Sequence, residues 1–362
     1  MTSPAITIDG RAIGLDHPPY VICELSANHN GSLERALALL DAAAATGADA
    51  IKIQTYTPDT LTIDHDGPDF RIRGGLWDGQ TLYELYRTAF TPYEWHGALV
   101  ERARRLGVTL FSTPFDDTAI ALLSGLGMPA YKIASFEAVD LPLIARVAAE
   151  GKPMIISTGM ADRVEIGEAV EAARIGGARD LVLLHCVSCY PARYEQANLR
   201  TIPDLAGSYG VIAGLSDHTP GTACAVAAVA LGACVIEKHF TLDRSEGGPD
   251  AAFSLEPDEF ARLVRECHDA WLSLGGIGYA RSEAERASQV FRRSLYVVRD
   301  MAPGEPFTAE TLRSIRPGYG LPPKHLPAIL GRSATRAIPR GHALSWEDVS
   351  GGRPDTPGAL SR

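Results

Sequence analysis

The chain has 362 residues, which suits one large domain followed by a smaller one. Apolar residues make up 46% and charged residues 22%, as is typical of a globular protein. The formal net charge of −10 argues against a nucleic-acid-binding or anionic-membrane-binding surface, so any bound anion needs a local cluster of positive charge. Residues 1–5 lack the basic and apolar regions expected of a signal peptide, and no apolar run reaches the roughly 20 residues that span a bilayer.

Short apolar runs alternate with amphipathic stretches from about residue 20 to residue 275. The predicted strands are residues 21–25, 50–54, 108–112, 130–134, 154–158, 181–186, 210–215 and 234–239. Helical patterns between them include residues 33–46, 94–106, 163–175 and 221–231. Eight strand–helix repeats over this length predict an α/β fold, a (β/α)8 TIM barrel in residues 1–275. A doubly wound open sheet is the alternative, but no glycine-rich fingerprint follows the first strand.

One connection in the predicted barrel is unusually long. Residues 56–90 separate the second strand from its helix and contain several aromatic side chains. Loops of this length are usually functional or disordered. We expect this one to form a lid over the barrel mouth.

The pattern changes after Gly275. Residues 276–290 are polar, without an apolar stripe, and indicate a linker. Residues 291–350 alternate short apolar strands with turns and predict a small β-rich domain, with a short helix at 324–330. Residues 351–362 are rich in Gly, Pro and Ser, which favours a flexible tail.

The six cysteines lie mostly in or beside apolar runs and show no regular spacing. This usage is typical of reduced thiols that pack in a cytoplasmic protein. Cys186 and Cys189 have the CxxC spacing of a redox pair or half a zinc site, but no second CxxC accompanies them. We therefore interpret the cysteines as packing residues and expect a cytoplasmic location.

Three of the five lysines interrupt predicted strands, namely Lys52, Lys132 and Lys238. A buried lysine needs an anionic partner, and its ammonium group binds phosphate as a point charge. Side chains alternate between the two faces of a strand, so Lys52 shares a face with Gln54. By the same rule Lys238 points away from Glu237 and His239, which predicts a salt bridge behind the barrel wall. Lys52 and Lys132 remain as candidate phosphate-binding residues.

Polar residues end almost every predicted strand, and in a TIM barrel these ends form the active site. His218 and His239 end neighbouring strands seven and eight, so both imidazoles could reach one ion. With Asp217, Glu237 and Asp250 nearby, they predict a divalent-metal site of imidazole and oxygen ligands. The alternative is that the two histidines have a structural role as hydrogen-bonded side chains without a metal.

These residues belong to longer motifs, and through them the chain resembles the sialic acid synthase family, specifically its pseudaminic branch. The motifs include Glu24-Leu-Ser-Ala-Asn-His-Asn30, Tyr131-Lys-Ile-Ala-Ser-Phe-Glu137 and Gly214-Leu-Ser-Asp-His-Thr219. Residues 291–350 resemble the antifreeze-like (SAF) domain of the same family. One departure, Gly248-Pro-Asp250, is closer to the neuraminate branch.

The resemblance implies a condensation of phosphoenolpyruvate (PEP) with an open-chain amino sugar, which releases phosphate and gives a nonulosonic acid. The positions implied to bind PEP are Lys52, Thr113, Lys132, Ser135, Ser157, Ser188 and Ser216. Those implied on the sugar side are Gln54, Tyr190, Asp250 and Arg316. His218 and His239 match the metal ligands, with Mn²⁺ expected first and Mg²⁺ or Co²⁺ as alternatives. For the acid/base group, Glu24 is the first choice and Glu137 the second.

The pseudaminic branch implies 2,4-diacetamido-2,4,6-trideoxy-L-altrose as the sugar. An N-acetylneuraminate or legionaminic acid synthase with another amino sugar is the alternative. The resemblance also implies a domain-swapped homodimer in which Arg316 reaches the barrel of the second subunit. A Schiff-base aldolase, a metal hydrolase and a non-catalytic binding protein are further alternatives. A Schiff-base aldolase should not need a metal, and a metal hydrolase should have more His ligands. A binding protein leaves the polar barrel mouth unexplained.

Overall fold

The computed structural model describes residues 5–354. The chain divides into two compact units between Gly275 and Gly276. Of the predicted tail at 351–362, residues 355–362 lie outside the described residues. We describe each unit by itself.

The first unit is a closed barrel of eight parallel strands, which confirms the predicted TIM barrel. A hairpin of β1 (Ile6–Ile8) and β2 (Arg11–Ile13) precedes it. The barrel strands are β3 (Tyr20–Glu24), β4 (Ala50–Thr55), β5 (Thr109–Pro114), β6 (Tyr131–Ile133), β7 (Met154–Ser157), β8 (Leu181–Cys186), β9 (Ile212–Asp217) and β10 (Val235–His239). They pair in chain order, and β10 closes the ring against β3.

Helices follow the strands around the barrel. They are α1 (Leu33–Ala45), α2 (Pro58–Leu61), α3 (Leu82–Ala89), α4 (His96–Leu106), α5 (Asp117–Leu126), α6 (Leu141–Ala148), α7 (Arg163–Ile175), α8 (Thr201–Tyr209), α9 (Ala223–Ala230) and α10 (Pro257–Leu274). Ser32 accepts a hydrogen bond from the Arg35 amide at 3.2 Å and so caps the start of α1. Helix α4 begins two residues later than predicted, because Tyr93–Trp95 forms a 3₁₀ turn.

The apolar core lies between the strand ring and the helices, and strand alternation decides which side chains enter it. Ile51 and Ile53 of β4 pack into this core. Lys52 and the inward-facing residues of the other strands fill the barrel interior instead. The strand ends therefore carry the polar groups toward one face of the barrel.

The long segment 56–90 is ordered, as the lid prediction requires. It contains α2, a 3₁₀ turn at Pro68–Phe70, a bridge between Arg71 and Thr81, and α3. The Trp77 indole Nε1 donates a hydrogen bond to the Pro249 carbonyl at 3.0 Å, which ties the segment to the loop after β10.

The second unit is small and β-rich. Strand β11 (Ser294–Val297) pairs antiparallel with β12 (Leu312–Ile315), and isolated bridges extend this pairing. Helix α11 (Glu283–Ala287) lies within the predicted linker, and α12 (Leu326–Ile329) lies where a short helix was predicted. A separate apolar core centres on Leu295, Phe307 and Ile329. Across residues 5–354, no helix is both long enough and apolar enough to cross a membrane.

Candidate active site

Two buried ion pairs occupy the barrel interior. The Lys52 ammonium on β4 pairs with the Glu24 carboxylate at the end of β3. The Lys132 Nζ on β6 donates to both carboxylate oxygens of Glu237 on β10, at 2.8 and 3.0 Å. Lys52 Nζ also lies 3.8 Å from Glu237 Oε2, so the four side chains form one network. The two candidate phosphate-binding lysines are thus brought together and are balanced by two acids.

The two carboxylates of this network differ in their electrostatics. Burial raises the pKa of Glu237, but Lys132 and Lys52 outweigh burial and lower this pKa to about 2. Burial raises the pKa of Glu24, and the Lys52 ammonium only partly opposes that effect. Glu24 Oε1 also accepts a hydrogen bond from the Ser26 amide at 2.8 Å. Glu24 is therefore held by fixed partners, which limits it as a mobile proton carrier.

Lys238 lies outside this network, as strand alternation predicted. Its Nζ donates to Asp217 Oδ2 at 2.6 Å and to the Thr219 carbonyl at 2.5 Å, and the side chain is fully buried. In the strand register Lys238 pairs with Asp217, whereas Glu237 pairs with Ser216. The Asp217 carboxylate therefore pairs with Lys238. The prediction that Asp217 lies near the metal site as a possible ligand is wrong.

Hydroxyl groups surround the two lysines. The Thr113 Oγ1 accepts from Lys52 Nζ at 3.3 Å, and Ser216 Oγ donates to Glu237 Oε1 at 3.0 Å. Ser157 Oγ is buried and has no hydrogen-bond partner among the described residues. An unpaired buried hydroxyl is costly unless a ligand pairs with it, so Ser157 fits a role in anion binding.

Two further predicted serines converge on Gly159. The Gly159 amide donates to Ser135 Oγ at 3.2 Å, and a Cβ atom at this glycine would collide with both Ser135 Oγ and Ser188 Oγ. Gly159 therefore keeps open a space between two hydroxyls. Gly159 was not among the predicted site residues, although it directly follows the predicted strand 154–158.

His218 and His239 lie side by side, with ring centroids 5.3 Å apart. His218 Nδ1 lies 3.2 Å from the Val187 carbonyl, to which it donates, and in the neutral ring this leaves Nε2 as an acceptor. His239 Nδ1 is buried without a hydrogen-bond partner in the described chain and lies 3.8 Å from Asp250 Oδ2. Burial lowers the pKa of His239, and nearby cations lower it further, so its imidazole is neutral.

These residues fit a divalent metal by their chemistry. Two imidazoles and one carboxylate are ligands that such ions accept, and the orphaned His239 nitrogen needs a partner. Within residues 5–354, however, no group of three or more His, Cys, Asp or Glu side chains is arranged closely enough to hold an ion. An ion at the histidine pair would therefore need further ligands from water or substrate.

A cavity of about 400 Å³ opens above the histidine pair. Six predicted site residues line it: Gln54, Ser135, Glu137, Tyr190, His239 and Asp250. The Tyr190 ring contacts His218 edge to face at a centroid distance of 4.5 Å, and also packs against Phe253 at 5.1 Å. Gln54 Nε2 donates to Ser26 Oγ at 3.1 Å. The lid segment supplies most of the remaining lining, so the lid interpretation agrees with the structure.

Glu137 differs from Glu24 because it faces this cavity without a charged partner in contact. Its Oε2 is buried and has no hydrogen-bond partner in the described part of the chain. Burial raises the pKa of Glu137 to about 7. A carboxyl group with a pKa near neutrality can both accept and donate a proton, which favours Glu137 over Glu24 as the acid/base group.

Arg316 and the cysteines were also the subject of predictions from the sequence. Arg316 lies in the second unit, directly after β12, and is exposed there. Five cysteines are buried, but Cys189 is exposed, so the packing interpretation is wrong for that residue. The role of Glu237 as the partner of both lysines was missed, although its strand parity with His239 already placed it inside the barrel.

Known protein families match both units of the chain. The family model described as the NeuB family matches residues 39–279, and the SAF domain model matches residues 292–350. A pseudaminic acid synthase of Campylobacter jejuni is 46% identical over 333 residues, which cover 92% of this chain and 97% of that protein. A pseudaminic acid synthase of Helicobacter pylori is 43% identical, with 92% and 98% covered.

A solved structure extends the likeness to three dimensions. The N-acetylneuraminic acid synthetase of Leptospira borgpetersenii, crystallised with citrate, is 33% identical and superposes with a TM-score of 0.71. The match covers 79% of this chain and 95% of that one. The chain belongs to the NeuB family, the sialic acid synthase family of PEP-dependent condensing enzymes.

Proposed function

We propose that this chain is a pseudaminic acid synthase. It condenses PEP with 2,4-diacetamido-2,4,6-trideoxy-L-altrose and releases pseudaminic acid and phosphate. The observation that carries the choice of sugar is the 46% identity to the Campylobacter jejuni pseudaminic acid synthase, which extends over 92% of this chain.

In this proposal PEP binds inside the barrel. Lys52 and Lys132 supply the positive charge, and Thr113, Ser135, Ser157, Ser188 and Ser216 supply hydroxyl groups. The support is the bonding of Thr113 and Ser216 to the lysine–glutamate network, the unpaired Ser157 hydroxyl, and the approach of Ser135 and Ser188 to Gly159. Because Glu24 and Glu237 already balance the lysines, the hydroxyl groups are needed to hold an anion as charged as PEP.

The amino sugar lies in the cavity above. Gln54, Tyr190 and Asp250 line the cavity beside His239 and are the proposed sugar contacts. Asp250 is nearly buried, and burial raises the pKa of its carboxyl group. These groups can orient the sugar hydroxyls so that the aldehyde carbon meets PEP.

We further propose that His218 and His239 hold a divalent metal, with Mn²⁺ as first choice and Mg²⁺ or Co²⁺ as alternatives. When bound, such an ion supplies Lewis-acid chemistry that makes an aldehyde carbon electrophilic. The support is the neutral, unpaired imidazole of His239 beside the carboxylate of Asp250. The protein residues orient the aldehyde toward C3 of PEP.

The bonds change in two stages. C3 of PEP forms a bond to the aldehyde carbon as the aldehyde C=O π bond opens, its oxygen takes up a proton from water, and C2 of PEP becomes electron-poor. Water adds to C2 while Glu137 accepts one of its protons. The new C2 hydroxyl then loses its proton as the bond between C2 and the phosphate oxygen breaks, which leaves a C2 carbonyl and phosphate. Glu137 is chosen because its carboxyl faces the cavity and its pKa lies at about 7.

The proposed working form is a domain-swapped homodimer in which Arg316 of one protomer serves the cavity of the other. Two exposed surfaces support it: Arg316 itself, and the Phe136 side chain, which lines the cavity and remains 56% exposed. Mixing an Arg316→Ala chain with a Lys132→Ala chain tests this arrangement. Partial activity in the mixture, but in neither variant alone, is the expected result.

We also propose that this protein is located in the cytoplasm, since the cysteines of the chain are free thiols.

The function is tested by incubating the purified protein with PEP, Mn²⁺ and one sugar at a time. We expect phosphate release and a product with the mass of pseudaminic acid from the diacetamido altrose. PEP labelled with ¹⁸O at the bridging oxygen should pass the label to phosphate, which checks C–O cleavage. Turnover of N-acetylmannosamine alone would contradict the proposal and favour a neuraminate synthase.

A further inference from the structure

The cavity has two chemically different surfaces. The polar surface comes from the ends of the barrel strands and includes Gln54, Ser135, Glu137, His239 and Asp250. The opposite surface comes from the segment 56–90. Its side chains Leu61, Ile72, Trp77, Leu82, Leu85 and Ala89 line the cavity, and we call these six residues the apolar roof.

The apolar roof offers a ligand no hydrogen bond. Five of its six side chains carry only carbon, and the sixth, Trp77, already uses its indole Nε1 on the Pro249 carbonyl at 3.0 Å. Leu85 is 8% exposed, and the other five roof residues are half-buried. The same segment also lines the cavity with Tyr56 and Tyr86, whose rings meet edge to face with centroids 5.9 Å apart and whose hydroxyls are its polar atoms there.

The reaction fixes which end of the sugar meets which surface. The aldehyde carbon must lie near His239 and the PEP-binding network, at the polar surface. The remote carbons of an open-chain hexose must then extend toward the apolar roof. Against these six side chains, a hydroxyl on the last carbon would lose its water without gaining a partner, whereas a methyl group would gain apolar contact.

We propose that the apolar roof selects a 6-deoxy sugar by packing against its terminal methyl group. This inference rests on the proposed function and assigns the specificity to residues of the lid. An apolar pocket rejects an added hydroxyl by roughly 100-fold at most, so the expected preference is about 10- to 100-fold in kcat/KM.

The test compares two sugars that differ only at carbon 6: the 2,4-diacetamido-2,4,6-trideoxy hexose and its 6-hydroxy counterpart. The wild-type chain should prefer the deoxy sugar, measured as phosphate release from PEP. Leu82→Gln places an amide in the roof and should reduce the preference about tenfold or more, mainly through better use of the 6-hydroxy sugar. Leu85→Met keeps the surface apolar and should retain the preference.

The matched control is Leu76→Gln, which makes the same change in the same segment. Leu76 is 45% exposed and does not line this cavity, so the preference should not change. Two results would overturn the role of the roof and leave the proposed function intact. One is equal use of the two sugars by the wild type, and the other is an unchanged preference in folded Leu82→Gln. Absence of phosphate release with every sugar overturns the proposed function, and this inference with it.

Discussion

Lys132 Nζ donates to both oxygens of the Glu237 carboxylate, at 2.8 and 3.0 Å, in a part of the barrel where neither residue is more than 3% exposed. Lys52 Nζ approaches the same carboxylate to 3.8 Å. Because the pKa of Glu237 is about 2, the carboxylate stays ionised at any working pH. Glu237 therefore holds two like-charged ammonium groups close together before an anionic substrate arrives.

This arrangement predicts the kinetics of Glu237→Gln. Loss of the negative charge strengthens the attraction of the site for PEP, but it also frees two lysines that repel each other. We expect kcat to fall by roughly 10- to 100-fold, while KM for PEP does not rise. Glu237→Asp keeps the charge and should recover part of kcat. Unchanged kcat in a folded Glu237→Gln chain would show that the carboxylate does not position the lysines.

Much of the sequence-based prediction depended on the alternation of side chains between the two faces of a strand. A period of two residues placed Lys52 inside the barrel and Lys238 outside, and both placements agree with the structure because a regular strand leaves no other choice. The same rule shows why Asp217 was misjudged. It adjoins His218 in sequence, but it faces the opposite side of the wall, where Lys238 binds it.

Contacts between distant parts of the chain could not be predicted in this way. Glu237 and Lys132 are 105 residues apart, and only closure of the barrel brings them into contact. The choice between Glu24 and Glu137 also depended on the fold, since both are acids near strand ends. Which one has a lysine partner, and which one faces the cavity, is decided by side-chain packing between strands.

Lys238 allows a test that separates stability from substrate binding. Lys238→Met leaves the Asp217 carboxylate buried without its cation, which should lower the free energy of unfolding by about 3–5 kcal/mol. KM for PEP should stay unchanged, because Lys238 lies outside the barrel interior. Denaturant unfolding and steady-state kinetics measure the two effects. Lys152→Met, at an exposed position, is the matched control and should change neither. A rise in KM without loss of stability would place Lys238 in the binding site.

The pKa of Glu137 predicts a pH dependence. Burial raises this pKa to about 7, so the carboxylate form that can accept a proton from water is lost as the pH falls through 7. For the wild type, kcat/KM should therefore rise with pH up to about 7 and then level off. Glu137→Gln should lower kcat by roughly 10²- to 10⁴-fold and remove this rising limb. Glu168→Gln, on the exposed side of α7, should keep both the rate and the limb. Persistence of the limb in Glu137→Gln would assign the titration to another group.

The histidine pair predicts metal binding that can be measured without turnover. After treatment with a chelator, the protein should bind Mn²⁺, detected by the loss of the free-ion signal in electron paramagnetic resonance. His239→Ala removes the unpaired Nδ1 and should weaken this binding by at least about 100-fold, since even loss of a ligand's hydrogen-bond partner costs 10- to 100-fold. His268→Ala, an exposed histidine on α10, is the control. Equal Mn²⁺ affinity in both variants would remove His239 from the metal site.

The last prediction concerns the stability of the second unit, where Asp348 is fully buried. Its carboxylate accepts hydrogen bonds from the Ser345 amide, the His342 Nε2 and the Arg336 guanidinium, at 2.8–2.9 Å. Burial raises the pKa of Asp348, but these partners outweigh it and lower the pKa from 3.8 to about 2. An acid with a lowered folded-state pKa stabilises the fold above its unfolded pKa and loses that effect as the pH falls toward the folded value.

Asp348→Asn should therefore lower the free energy of unfolding by about 2 kcal/mol between pH 7 and pH 4. The difference from the wild type should shrink as the pH falls from about 4 toward about 2, where the wild-type carboxylate also becomes neutral. Denaturant unfolding of the full chain across this range measures the effect. Glu347→Gln makes the same change of charge at the exposed neighbouring position and should have little effect. A difference that stays constant down to pH 2 would mean that the asparagine acts through packing, and that the charge of Asp348 does not stabilise this unit.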